Sequence, residues 1–182
     1  MPCPYQLHPI ALYCSLVAIL PILTGENNPI LRKKTPKVER VTKEIKQLIK
    51  DMQETMEGKG VGLAAPQVGV SLRLCIATLG GKVTPLLNPQ ITVRSEEKAM
   101  DQEGCLSLPD TWVLVPRSVD IVVRYRDARG TPKEKKLSGF DARVVQHEVD
   151  HLDGRLIVDY VTEGKAVAVP KELLPRSETV IE

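Results

Sequence analysis

Gln146-His147-Glu148-Val149-Asp150-His151-Leu152 sets two imidazoles four residues apart, with a carboxylate directly after the first. On an α-helix, side chains at i and i+4 share a face, so both rings reach one cation. Glu148, turned about 100° from His147, stays free to act as a base. A hydrolytic metal site needs this combination of two ligands and an unligated proton acceptor. The chain has only three histidines, and two of them stand at this spacing. The third, His8, has no ligand partner at helical spacing and reads as a solvent-exposed bystander.

Around that stretch the pattern predicts a helix over about residues 140–152, stopped by Gly154 in a left-handed cap. Phe140, Val144, His147 and His151 fall along one stripe of it. An earlier helix is predicted over residues 41–56. Val41, Ile45, Leu48, Ile49, Met52 and Met56 form its apolar face, Lys43, Lys46 and Lys50 lie opposite, and Gly58 marks its end. Strand-like runs occupy residues 72–77, 86–93, 112–115 and 119–125. Asp127-Ala128-Arg129-Gly130 then turns into a last run at 133–137. Strands followed by the histidine helix imply an α+β fold, with short antiparallel β-sheets wrapped around a central metal-binding α-helix whose histidines face inward. The chain shows no internal repeat.

An open catalytic metal site takes a third protein ligand. Downstream, Asp159, Glu163 and Glu172 are carboxylate candidates in undistinguished surroundings. Upstream, Glu103-Gly104-Cys105-Leu106-Ser107-Leu108-Pro109 offers a thiolate beside a glycine that permits close backbone approach, and Cys105 is the better ligand. A second unusual stretch is Gly60-Val61-Gly62-Leu63-Ala64-Ala65-Pro66-Gln67-Val68-Gly69. Its glycines permit close packing or ligand approach, and the Gln67 amide is a neutral donor for a developing oxyanion. The stretch lacks the Lys-Ser/Thr ending of a phosphate loop, which argues against nucleotide binding.

Composition narrows the alternatives. The 182 residues suit one domain with a sizeable core. Twenty-five Lys and Arg against twenty-three Asp and Glu give a net charge of +2, too balanced for a polyanion partner, and one Phe with one Trp leaves little for base stacking. Cysteines 3, 14, 75 and 105 form no C-x-x-C spacing, so neither a zinc ribbon nor a disulfide framework is indicated, and a reducing cytosol fits. Cys75, in an apolar run, reads as a buried small hydrophobe. Residues 10–23 are apolar but too short for a bilayer span and interrupted by Pro21. No Lys or Arg precedes them, as an export signal would require. Two readings of the stretch stay open at this point, an export signal that lacks its basic start and an extended first segment of the fold over residues 18–23 with everything before it an extra arm.

Together the three stretches resemble the bacterial-type peptide deformylase family. Its motifs are Gly-x-Gly-Leu-Ala-Ala-x-Gln, Glu-Gly-Cys-Leu-Ser and Gln-His-Glu-x-Asp-His-Leu, matched here in family order at residues 60–67, 103–107 and 146–152. The resemblance covers roughly residues 19–160, including Val115-Pro116-Arg117. It implies a catalytic domain over 18–162, an N-terminal extension over 1–17 and a polar C-terminal tail over 163–182.

The function implied is a metal-dependent hydrolase that removes the N-formyl group from N-formylmethionine of nascent polypeptides, releasing formate. By similarity Cys105, His147 and His151 hold Fe2+, replaceable by Zn2+, Ni2+ or Co2+, with water in the fourth position. Glu148 is then the acid–base group, and Gln67 and the Leu106 N–H are the oxyanion donors. The substrate-binding positions carried over are Gly60, Val61, Gly62, Glu103, Gly104, Trp112 and Val144. The Gly62 backbone pairs with the extended peptide, and Val61 and Val144 line a pocket for the methionine side chain. Partners implied are the formylmethionyl peptide and the ribosome near its exit tunnel, without nucleic-acid readout or membrane, for a cytoplasmic monomer.

Trp112 departs from the pattern, standing where several relatives carry an Arg at the pocket mouth. It either contacts substrate or covers the core edge. Glu103 and Arg117 are candidates to pair behind the site. The alternative function is a zinc endopeptidase that keeps His147, Glu148 and His151 but takes a downstream carboxylate as third ligand.

Overall fold

A computed structural model describes residues 17–170. Two antiparallel sheets and three α-helices make up the described part. Thr42 caps helix α1 (Lys43–Met56), its hydroxyl accepting from Ile45 N. Strand β1 (Gly62–Ala64) runs into a 3-10 turn over Ala65–Val68, and β2 (Leu74–Leu79) and β3 (Lys82–Arg94) follow. Then come β4 (Lys98–Glu103), β5 (Val113–Ser118), β6 (Asp120–Arg126), β7 (Pro132–Ser138), α2 (Gly139–Leu152), α3 (Ile157–Thr162) and β8 (Val167–Ala168). One sheet has the order β1-β2-β3-β6-β7 and the other β4-β5-β8.

Strand alternation explains how the larger sheet is covered on both faces. Leu74 and Ile76 of β2 pack with Leu48, Ile49, Met52 and Met56 of α1. Their neighbours Cys75, Ala77 and Leu79 pack with Val144, Val145, Val149 and Leu152 of α2. Helix α2 also reaches the smaller sheet, where Gln146 Nε2 donates to Ser118 O and Gln146 Oε1 accepts from Ser118 N. The histidine helix therefore lies between the two sheets. A third cluster of Leu108, Val113, Val115, Leu156 and Ile157 closes its C-terminal end. There Gly154 adopts φ 76°, and a β-carbon on it would lie 2.6 Å from Arg32 O, so only glycine fits the turn.

Both long helices stand within two residues of the sequence reading, and the turn at Asp127–Gly130 forms, with Gly130 N donating to Asp127 O at 2.8 Å. Strands β1, β4 and β8 and helix α3 were not foreseen, and β3 begins four residues earlier than its apolar run. Strand β4, Lys-Ala-Met-Asp-Gln-Glu, is a largely exposed edge with no apolar alternation to announce it. Phe140, read onto the inward stripe, is 48% exposed. It sits in the first turn of α2, beside an open recess it lines with Ala99, Asp101 and Val119. Val167 and Ala168, placed in the tail by sequence, pair with Leu114 and Val113, and so extend the smaller sheet past residue 162. His8, Cys3, Cys14 and Glu172 lie outside the described residues.

Candidate active site

Three elements converge on one cleft. Helix α2 supplies His147, Glu148 and His151, the loop after β4 supplies Gly104, Cys105 and Leu106, and β1 with its 3-10 turn supplies Gly62 and Gln67. Val61, Gly62, Gln67, Gly104, Cys105, Leu106, Val144, His147 and Glu148 line the cleft together. The ligand atoms of Cys105, His147 and His151 all lie within 4.8 Å of one another. Cys105 Sγ is 3.3 Å from His151 Nε2, and the two imidazoles meet edge to face with centroids 5.0 Å apart.

The donor set fits a divalent cation. Burial alone would raise the Cys105 thiol, but the charge of His151 and hydrogen bonds from both imidazoles bring it down to about 5, so sulfur is available as thiolate. His147 Nδ1 is engaged by Glu103 Oε2 at 3.0 Å, which leaves Nε2 as the ring's remaining donor atom. A thiolate with two imidazoles suits iron, zinc, nickel or cobalt better than magnesium or calcium. Glu148 is 3% exposed, and its Oε2 has no hydrogen-bond partner among the described residues. Burial pushes its carboxyl up to about 7, against the pull of His147 and His151. That is the range in which a carboxylate exchanges protons near neutrality.

Gln67 is held at both ends. Its Oε1 accepts from Ala64 N at 2.8 Å, and its Nε2 donates to Ser107 Oγ at 3.2 Å and faces Cys105 Sγ at 3.8 Å. The glycine loop is thereby joined to the cysteine loop across the floor of the cleft. A strap from the N-terminal side ties the same two loops, with Leu23 N donating to Gln67 O at 2.7 Å and Gly25 N to Ser107 O at 3.0 Å.

Glu103 is fully buried and faces away from the cleft lining. Its carboxylate accepts two bonds from Arg117, at 2.9 and 2.8 Å, and one from Arg143 at 2.7 Å, in addition to His147. Arg117 and His147 hold it well below the usual carboxylate range despite its burial. Its contacts are with Arg117, Arg143 and His147, and it is not among the residues that line the cleft. Arg117 also reaches Asp150 Oδ2 and Tyr160 Oη. The Glu103–Arg117 pair was legible in the sequence. Arg143, Asp150 and Tyr160 were missed, although the i+4 spacing of Arg143 to His147 was a usable signal.

Trp112 does not line the metal cleft. It lines an adjoining recess with Cys105, Leu106, Leu108 and Pro109 and packs so closely on Gly104 that a β-carbon there would lie 2.5 Å from the indole. Gly60 also lies outside the cleft lining, its N–H donating to Met56 O after α1. Among the described residues, the two carboxylates that the endopeptidase alternative would call on are engaged elsewhere. Asp159 pairs with Arg32, and Glu163 with Arg155 and Lys165.

A buried Cys-His-His donor set beside an unligated glutamate, at the floor of a cleft with amide donors, defines a metal-dependent hydrolase of the amide-cleaving kind. Residues 19–167 match the polypeptide deformylase family model, and the chain belongs to that family. The peptide deformylase of Pseudothermotoga lettingae is 45% identical over 148 residues, 81% of this chain and 86% of its own. The crystal structure of the Thermotoga maritima peptide deformylase superposes with a TM-score of 0.75 at 42% identity, covering 78% of this chain and 96% of that one. The Met-Ala-Ser-bound class I type b enzyme of Acinetobacter baumannii gives 0.76 at 35% identity, covering 79% and 99%. The chain is thus a metallohydrolase that removes the N-formyl group from formylmethionyl peptides, and the endopeptidase alternative is not favoured.

Proposed function

We propose that Cys105, His147 and His151 bind the metal, that Glu148 moves the proton, and that Gln67 and the Leu106 N–H bind the oxyanion formed from the formyl oxygen. The observation that carries this reading is the meeting of the three ligand atoms within 4.8 Å beside Glu148. A bound divalent cation would supply Lewis acidity and lower the pKa of a coordinated water. Glu148 takes the proton of the attacking water and later delivers it to the departing methionine nitrogen, so that formate and a free amino terminus leave. Gln67 is locked by Ala64 and Ser107, and the second Nε2 hydrogen, directed to the Cys105 side of the cleft, is the one that serves the oxyanion.

The Gly62 backbone in β1 receives the extended peptide, and Val61 and Val144 face its first side chain. The Met-Ala-Ser peptide bound by the Acinetobacter relative supports a product of this kind. Fe2+ is the native ion in this reading. The protein acts as a cytoplasmic monomer on chains emerging from the ribosome, without reading nucleic acid. Among the described residues no helix is long and apolar enough to cross a membrane.

The test is formate release from formyl-Met-Ala-Ser by protein prepared anaerobically with Fe(II) or Ni(II). Metal-replete protein that releases no formate would overturn the assignment. Metal analysis of anaerobically purified protein tests the choice of iron, and co-sedimentation with ribosomes tests the partner.

A further inference from the structure

Gly62 lies in a strand, paired with Ala77, at a backbone angle open to any residue. Its glycine is therefore not required by conformation, and glycine inside a strand marks a place where something approaches closely. What approaches is Glu148. A β-carbon built on Gly62 would overlap Glu148 Oε1 and lie 2.8 Å from Cδ and 3.1 Å from Cγ. The Glu148 side chain is buried, with α2 packed on β1 and β2, so the acid has no open solvent to retreat into.

We infer that residue 62 is a positioning residue for the base: the missing β-carbon forms the slot that holds the Glu148 carboxylate against the cleft. The inference rests on the reading of Glu148 as the proton-transfer group and adds to Gly62 a role separate from its backbone pairing with peptide. A methyl group at position 62 evicts the carboxylate, whereas a shorter acid at 148 has no atom at the Oε1 position, where the overlap is worst, and meets the methyl group less severely.

The test is a double-mutant cycle of Gly62→Ala and Glu148→Asp, with kcat, KM and metal content measured on the metal-loaded protein, and crystal structures of wild type and Gly62→Ala. In the Glu148 background, Gly62→Ala should lower kcat at least tenfold with metal content unchanged. In the Glu148→Asp background, the same substitution should lower kcat by a clearly smaller factor than in the Glu148 background. The crystal structure of Gly62→Ala should show the carboxylate turned out of its wild-type place. Equal losses in both backgrounds, or a loss confined to KM, would mean that the methyl group only obstructs the peptide, and would overturn the inference. An unmoved Glu148 in the variant crystal would do the same. If wild type itself releases no formate, the functional reading fails, and the crystal structures still decide whether residue 62 positions Glu148.

Discussion

Glu103 Oε2 and His147 Nδ1 stand 3.0 Å apart, and that contact sits at the centre of a buried network linking β4, β5 and α2. The carboxylate is matched by two guanidiniums, each almost fully buried. Arg143 also donates to Ala99 O and Val115 O, and so ties the helix to the backbone of both strands. The orientation of the His147 ring, a proposed metal ligand, is thereby coupled to the assembly of the smaller sheet.

Glu103→Ala should therefore damage both stability and metal binding. Removing one partner of a buried charge network costs about 3–5 kcal/mol, because the remaining charges lose their compensation. Loss of an outer partner of a ligand histidine weakens metal affinity about 10–100-fold. Denaturant unfolding and metal titration measure the two effects. A variant as stable as wild type with unchanged affinity would show that the network is dispensable.

Cys105→Ala should lose metal to a chelator far faster than wild type, because removal of the thiolate leaves two imidazoles, which alone make a weak site. Asp159 and Glu163 are already held by arginines. Metal analysis after dialysis decides it. Stoichiometric metal with undiminished formate release would reassign the third ligand.

Glu148→Gln should keep the ion and lose about 10²–10⁴-fold in kcat, the usual worth of a positioned acid–base group. The amide keeps the size of the side chain but cannot accept the water's proton. Turnover near wild type in a metal-replete variant would remove Glu148 from the mechanism.

The residues of the candidate site are easier to read in the sequence than several elements of the fold. His147, Glu148 and His151 are legible because helical spacing converts directly into shared geometry, and Cys105 because thiolate chemistry singles it out. Strand β4 was hidden because an exposed edge needs no apolar alternation, and β8 because two residues are too few to show a period. Gln67 was readable as a donor, but its fixing by Ser107 and Ala64 depends on two loops 40 residues apart meeting. Asp150 belongs to the histidine motif and Tyr160 to none, and neither position reveals in sequence that the two share Arg117 as a partner. Glu103 enters the substrate-binding positions only through the family resemblance, and its contacts with Arg117, Arg143 and His147 depend on tertiary packing that its place in the motif does not show.

Deleting residues 2–17 should leave activity within a few-fold, since the family match begins at residue 19. Extending the deletion through residue 25 should abolish it. That cut removes Leu20 N, bonded to Thr55 Oγ1 at 2.8 Å, and the strap from Leu23 and Gly25 to the loops carrying Gln67 and Ser107. Activity assays on the two soluble truncations compare them. Equal activity would show that the strap does not position the cleft.

Selectivity should follow the formyl group and an apolar first side chain. The cleft places Cys105, Gln67, Leu106 and Glu148 around one small carbonyl, so a bulkier acyl group meets crowding where formyl carries only hydrogen. Val61 and Val144 offer an apolar wall, and burial there is worth about 0.8 kcal/mol per methylene. Formyl-Met and formyl-norleucine peptides should both react well, because each presents an unbranched chain of similar length. Acetyl-Met peptides should react poorly, and internal peptide bonds should survive, since a chain continuing through the formyl position meets the same obstruction. Mass analysis of products from formyl-Met, acetyl-Met and unblocked peptides checks this. Cleavage of internal bonds with the formyl group retained would contradict the deformylase chemistry and return the site to an endopeptidase.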